Sequence, residues 1–442
     1  MNVMYNQSLY LSKRIQVEDA LALVQSGYEV VLGLGAAEPR LFLERLHEEA
    51  SRVKDVHMVN CLPMGEYAFF SNPSYKDSFL LEGWFYSGAM RKLHHNGNIT
   101  FIPNHLHFAS TKRMQYRHPN IYIGNCSPVD NHGYVSLGVS NVYEKDMVEN
   151  ADIVILEINP NVPRTFGDTE VHITDVDYFI EADYKLPTLP ISESNEKDRV
   201  IGNYIADLID DGSTIQLGIG GIPNAVAHAL THKKDLGIHT EMFTDGMVDL
   251  VESGAVSGKL KTLHKNKMVA AFALGSQKLY DFIHENPGVS ILRGTYVNDP
   301  YVVGGNDNMV SINTSIEIDL TGQCCSESVG TRQISGTGGQ VDTAVGAQNA
   351  KNGKSFIALY STAEIRNKAT GEIEEKSKIV PMLTPGAIVT LSRNDVDFVV
   401  TEYGVAALRG TSVRERVKRL IAIAHPKFRD MLEAEAERLM LW

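Results

Sequence analysis

Glu241 lies in the run Gly237-Ile238-His239-Thr240-Glu241-Met242-Phe243-Thr244-Asp245-Gly246, among apolar neighbours. Residues 238–243 read as a short buried strand and 247–252 as the helix that follows it. In an open parallel sheet the ligand crevice lies beyond the carboxyl ends of the strands, and Glu241 sits near such an end. A carboxylate placed there costs free energy unless it is paired or used. It therefore does chemistry or closes an ion pair or helix cap. His239 falls on the same face as Glu241, which is half of a metal pair, but no third ligand is apparent nearby. His105 and His107 form an HxH pair with the same deficiency, which fits packing or capping better. No metal is expected.

Two glycine-rich turns offer backbone chemistry. The strand 215–217 runs into Gly218-Ile219-Gly220-Gly221-Ile222-Pro223-Asn224, with a helix expected from about residue 225 and Pro223 at its first position, where no donor is needed. Unpaired amides at such a helix start make an anion or oxyanion site; the alternative is a tight turn with no ligand. A dinucleotide fingerprint would need glycine at position 38 or 223, where the chain carries Glu38 and Pro223. The second turn is Ser335-Gly336-Thr337-Gly338-Gly339-Gln340-Val341-Asp342. Three glycines in four residues favour close backbone approach to a ligand, with Gln340 and Asp342 as side chains that fix the turn.

The elements that must position these groups show a weak internal duplication. SGYEVVLGLGAAEP (26–39) resembles DGSTIQLGIGGIP (211–223), and Gly27, Gly33 and Gly35 match Gly212, Gly218 and Gly220 at one constant offset. ADIVILEINPNVPRTFG (151–167) likewise resembles VDFVVTEYGVAALRG (396–410). Two related open α/β domains with mainly parallel sheets follow, 1–190 and 191–442, divided near the polar stretch 189–198, with Glu241 in the second. Helices are expected over 17–25, 198–210, 412–423 and 426–439. The polar segment 365–378 reads as a hairpin or surface loop with Thr-Gly at its tip.

Bulk properties narrow the function classes. A chain of 442 residues exceeds one small module, and 43% hydrophobic with 21% charged residues fits a folded globular enzyme. The formal charge of −13 argues against nucleic acid or an anionic membrane surface as partner, so an anionic ligand must be met by local amides and a few cations. Four cysteines without a CxxC form no disulfide framework or zinc knuckle. With no signal-like N-terminus and no long apolar stretch, a cytoplasmic, soluble protein is expected.

GIGGIPNAV (218–226), GIHTEMFTDGMVDLVESG (237–254), SINTSIEIDLTGQ (311–323), SGTGGQVD (335–342) and VTEYGVAALRG (400–410) resemble the acetyl-CoA hydrolase/transferase family. Its 4-hydroxybutyrate and butyryl-CoA:acetate CoA-transferase members are the nearest in pattern. The resemblance spans nearly the whole chain, and HTEMFTDG is its specific part. It implies two similar α/β domains, a homodimer or higher oligomer, and a glutamyl-CoA thioester formed on Glu241 as nucleophile. It also implies that Gly218, Ile219, Gly220, Gly221 and Ile222 form part of the CoA and oxyanion site, with Gly338 and Gly339 as second contributor. Asn298, in YVNDP, and Glu402, in TEYG, are implied as polar active-site residues. The segment 351–378 departs from the pattern in being longer and more polar than expected.

On that reading CoA moves between acetyl-CoA and a short-chain carboxylate, 4-hydroxybutyrate or butyrate. Coenzyme A is substrate and covalent intermediate, and no permanently bound cofactor is expected, because thioester energy is retained throughout. An acyl-CoA hydrolase is the first competitor, since admitting water to the same site would give hydrolysis. A non-catalytic acyl-CoA sensor would need no carboxylate at position 241, and a nicotinamide enzyme is disfavoured by the failed fingerprint.

Overall fold

The computed structural model describes residues 3–190, 192–366 and 371–441. Two compact units emerge, each α/β. The first takes Met1–Ile191 together with Glu241–Asp245 and Lys267–Asn298; the second takes Ser192–Thr240, Gly246–Asn266 and Asp299–Trp442.

The first unit is built on seven strands: β1 (Glu29–Leu32), β2 (Val56–Cys61), β3 (Phe79–Phe85), β4 (Ile99–Phe101), β5 (Ile121–Cys126), β6 (Ile153–Ile158) and β7 (Tyr178–Glu181). They lie in the order β4-β3-β2-β1-β5-β6-β7, every neighbouring pair parallel. Sequences such as EVVL and IVILEI are apolar almost without interruption because both faces of a parallel sheet are covered. Val30, Leu32, Met58, Leu81, Ile121 and Ile123 face a core closed by Phe42, Phe70 and Phe79.

In the second unit β8 (Thr214–Leu217) stands between β9 (Gly237–Phe243, whose residues from Glu241 on are counted in the first unit) and β10 (Met309–Thr314), followed by β11 (Lys354–Ala358), β12 (Phe398–Thr401) and the antiparallel β13 (Gly404–Ala407). The chain thus branches to either side of β8 as it does around β1, so the first pair of repeated blocks occupies equivalent strands; the second pair does not, β6 lying two strands from β1 and β12 three from β8. Ile357, Val399, Val417, Leu420 and Leu432 anchor this unit's core.

Local chemistry shifts several expected boundaries. The helix expected from residue 198 begins at Glu196, because Asn195 caps it: Asp198 N–H donates to Asn195 Oδ1 (3.0 Å), and Asn195 N–H donates to Asp198 Oδ2 (2.9 Å). The helix expected from about residue 225 spans Gly221–Ala229, so Pro223 is its third residue, not its first. All first-turn amides lack intrahelical acceptors, so proline is tolerated there too. Residues 426–439 divide into the 3₁₀ turn Pro426–Phe428 and the helix Arg429–Arg438. Strands Thr362–Arg366 and Ile373–Ser377 pair antiparallel as a hairpin; the Thr370 of its expected tip lies outside the described residues. Among the described residues no helix is long and apolar enough to cross a membrane.

Candidate active site

Along β9, six of the seven residues are buried, and the one that is not is Glu241. The strand is held from several sides. Lys261, itself buried, donates from Nζ to Ile238 O at 2.7 Å. Just beyond the strand, Asp245 accepts Ser276 N–H at 2.9 Å and also the Ser276 hydroxyl. Asn298 follows the short helix Gly294–Val297, is fully buried, and donates from Nδ2 to Glu241 Oε2 at 2.7 Å. That helix is pinned at its start by Arg293, whose guanidinium pairs with Asp168 (2.6 Å), Asp146 (2.9 Å) and Glu149 (2.6 Å). A Cβ on Gly294 would stand 2.7 Å from Val142 O, so only glycine lets the helix begin this close. Asn298 is thus a rigidly placed donor to a partly exposed carboxylate.

Cys61, at the end of β2, lies close enough to feel the Glu241 charge. Burial first, and then the charges of Glu241 and Glu144, push its thiol well up, so it is an unreactive wall. His239 is buried within β9. Among the described residues no three His, Cys, Asp or Glu side chains gather as a metal ion would require. His105 and His107 instead stack their rings 6.2 Å apart.

The first glycine turn is clamped by its own unit. Gly220 has φ +115° and ψ −179°, a conformation open to glycine alone, and a Cβ there would meet no protein atom within 4 Å. Gly221 is pressed against Asp198: a Cβ would lie 2.4 Å from Asp198 Oδ2. Asp198 is fixed in turn by Tyr360 Oη (2.6 Å), and Ser194 Oγ donates to Gly221 O (3.0 Å). Ile219 is 48% exposed, unusual for an isoleucine at a strand end. In the second turn, Gly338 has φ +54° and Gly339 precedes the helix Gln340–Asn349. Gln340 secures it, accepting Ser326 Oγ–H (2.7 Å) and donating to Thr314 O (2.9 Å).

Two further polar groups of the second unit form a charged cluster. Glu402 accepts Ser361 N–H and Oγ–H, both at 2.8 Å, and pairs with Lys197 at 3.1 Å. Burial raises its carboxyl, but these bonds outweigh burial and leave it below the usual range. Lys378 reaches Ser315 O (3.3 Å), and burial pushes its ammonium down to about 8 against the pull of Glu402.

Residues 1–190 match the acetyl-CoA hydrolase/transferase N-terminal domain and residues 275–436 the corresponding C-terminal domain. The chain is 43% identical to the succinyl-CoA:cyclohexane-1-carboxylate CoA transferase of Geobacter metallireducens, across 97% of this chain and 96% of that protein. It is 41% identical to the 4-hydroxybutyrate coenzyme A transferase of Clostridium kluyveri, across 98% and 99% respectively. The chain belongs to the acetyl-CoA hydrolase/transferase family. Its backbone agrees with the crystal structure of RipA from Yersinia pestis at a TM-score of 0.92, with 34% identity and complete coverage of both chains. Acetyl-CoA hydrolases stand much further off, at 25% identity over 77% of this chain for that of Neurospora crassa. Within the family the protein is a CoA-transferase.

Of the residues singled out by sequence, Glu241 and Asn298 are joined directly within one unit. The glycine turns and Glu402 belong to the other unit. Lys197, Asp198, Ser361 and Arg293 carry much of the positioning in this CoA-transferase but have no sequence signature. Apart from the local cap of Asp198 by Asn195, their partners lie far away along the chain, Glu402 being 41 residues from Ser361 and Asp168 125 residues from Arg293.

Proposed function

We propose that this CoA-transferase moves CoA between acetyl-CoA and a short-chain carboxylate, 4-hydroxybutyrate or butyrate, by a ping-pong route through a glutamyl-CoA thioester on Glu241. The observation that carries the reading is the buried Asn298 amide, 2.7 Å from the single partly exposed side chain of β9.

The chemistry balances without an outside reagent. A Glu241 oxygen attacks the acetyl-CoA carbonyl carbon; the C–S bond breaks and CoA leaves as thiolate, giving an acetyl-glutamyl anhydride. The thiolate then attacks the glutamyl carbonyl carbon, expelling acetate and leaving glutamyl-CoA. An incoming carboxylate attacks that thioester and releases the thiolate, which takes the new acyl group and restores the Glu241 carboxylate. Asn298 Nδ2 lies at the oxygen that gains charge when the glutamyl carbonyl is attacked. Gly218, Ile219, Gly220, Gly221, Ile222, Gly338 and Gly339 are assigned to CoA binding and oxyanion stabilisation, and Glu402 to the polar active-site set. We further assign the chain to a homodimer or higher oligomer in the cytoplasm, with domains 1–190 and 191–442.

The test is incubation with acetyl-CoA and no acceptor, followed by mass spectrometry. A borohydride-sensitive CoA adduct on the peptide containing Glu241, absent in Glu241→Ala, is the expected result. Absence of adduct together with intersecting double-reciprocal plots would overturn the proposal.

A further inference from the structure

The strands β2 and β3 fall out of register at their carboxyl ends. Asn60 is opposite Gly83, but the next residue, Cys61, is opposite Phe85, which leaves Trp84 as an extra residue in a bulge. Bulges beside a site re-aim a side chain. Trp84 is 2% exposed, and its Nε1 is buried with no hydrogen-bond partner among the described residues. Tryptophan N–H groups usually find an acceptor when buried, so one left over points to a ligand atom.

The surroundings connect this donor, through Tyr143 and Cys61, to the wall that feels the Glu241 charge. The Trp84 ring lies 4.9 Å from that of Tyr143, whose hydroxyl accepts Cys61 N–H (3.3 Å) and donates to Leu32 O (2.8 Å). Cys61 is the residue whose thiol feels the Glu241 charge. Next to β3, the strand β4 leads to Asn104, whose Nδ2 is also buried without a partner among the described residues, and on into the turn Leu106–Phe108 packed against the helix Gly294–Val297 that delivers Asn298. Asn298 itself keeps Oδ1 buried and, among the described residues, unpartnered. Donors and an acceptor are therefore left over in one region of the first unit.

We propose that Trp84 is a specificity-determining residue for the acyl group, its indole N–H donating to a hydroxyl on the acyl chain beyond the reacting carbonyl. This rests on Glu241 being the residue that receives the acyl group. A hydroxyl fits better than a second carboxylate, because Glu144 and Glu241 already bring negative charge to this wall and a further buried anion needs a cation beside it. Plain alkyl chains leave the indole N–H unsatisfied.

The experiment measures transfer of CoA from acetyl-CoA to 4-hydroxybutyrate, butyrate and succinate, in the full-length wild type and in Trp84→Phe, which keeps a ring and removes the N–H. We expect kcat/KM for 4-hydroxybutyrate to fall about tenfold in the variant, the worth of one such hydrogen bond, while that for butyrate stays within about twofold. The wild type should also prefer 4-hydroxybutyrate to butyrate. Equal losses for all acceptors, no loss for any, a loss confined to succinate, or a wild type indifferent to the hydroxyl would each overturn the assignment. A wild type that forms no CoA adduct and serves no acceptor would instead count against the glutamyl-CoA reading. A failed fold in Trp84→Phe leaves the wild-type preference as the deciding measurement.

Discussion

Replacing Asn298 by alanine removes one donor from the carboxylate that we assign as nucleophile. The bond is short, 2.7 Å, and Asn298 has no solvent exposure, so water cannot take the amide's place without entering the gap the substitution leaves. In the resting enzyme the lost bond is one to a charged group, worth about 1.5–3 kcal/mol. What slows turnover is the part of that energy that grows as negative charge builds on Glu241 Oε2 during thiolate attack. Loss of a single oxyanion donor in a water-poor site costs about 10²–10³ in rate, and we expect about 10² here because the resting carboxylate already enjoys part of the bond. The substitution touches none of the groups assigned to CoA binding, so KM should change by less than about threefold, as befits an interaction realised in the transition state. The assay is single-turnover formation of the CoA adduct from acetyl-CoA with enzyme in excess, quenched and read by intact mass, beside circular dichroism to verify folding. A folded Asn298→Ala that forms adduct within about threefold of the wild-type rate would refute the reasoning.

Glu241→Asp withdraws the carboxylate by one methylene, more than the tolerance of about 0.5 Å for productive attack; we expect loss of transfer and adduct with a gain of slow acetyl-CoA hydrolysis, read as free thiol, and equal hydrolysis by Glu241→Ala would contradict it. Gly220→Val forces a branched side chain into φ +115° and into space the protein leaves empty, so turnover should drop severely while Gly27→Ala, at another positive-φ glycine with open space beyond its Cβ, does not; unchanged kinetics at Gly220 would reduce the loop to a turn. Burial pushes the Glu38 carboxyl up to about 7, opposed by bonds from Tyr67, Met64 and Gly65. Between the usual carboxylate range and that value the folded protein keeps a proton the unfolded chain has lost, so stability falls as pH rises through this window, by up to about 3 kcal/mol, and no further above it. Glu38→Gln cannot lose that proton, and its stability relative to wild type should therefore increase between pH 5 and pH 8 by about that amount in urea unfolding; a pH-independent difference would show that Glu38 is not the group responsible.

The strand plan was legible because its signals are local. Apolar runs such as IVILEI, glycines at matched spacing and the polar stretch near residue 190 all report on backbone choices made within a few residues of one another. The HTEMFTDG block likewise marked Glu241 without any knowledge of its surroundings. Boundaries were less legible where a cap decided them: Asn195 draws the next helix two residues earlier than the charge pattern implied, and Pro223 sits in the third position of its helix because first-turn amides are free in any case.

The resemblance implied Asn298 as an active-site residue, but tertiary structure alone decided that it bonds Glu241 and what holds it there. Asn298 comes within 2.7 Å of it from 57 residues away, and Arg293 secures that approach by pairing with carboxylates up to 147 residues distant. Strands β2 and β3 slip by one residue at Trp84, whose indole N–H is left without a partner among the described residues. The family resemblance implies Glu402 as a polar active-site residue, but that Ser361 and Lys197 surround it and hold its charge is a property of the fold. By itself the sequence determined the α/β duplication and the carboxylate at a strand end, since periodicity and spacing are written along the chain. Orientation, burial and the pairing of charges depend on which distant segments meet, and those are properties of the folded chain alone.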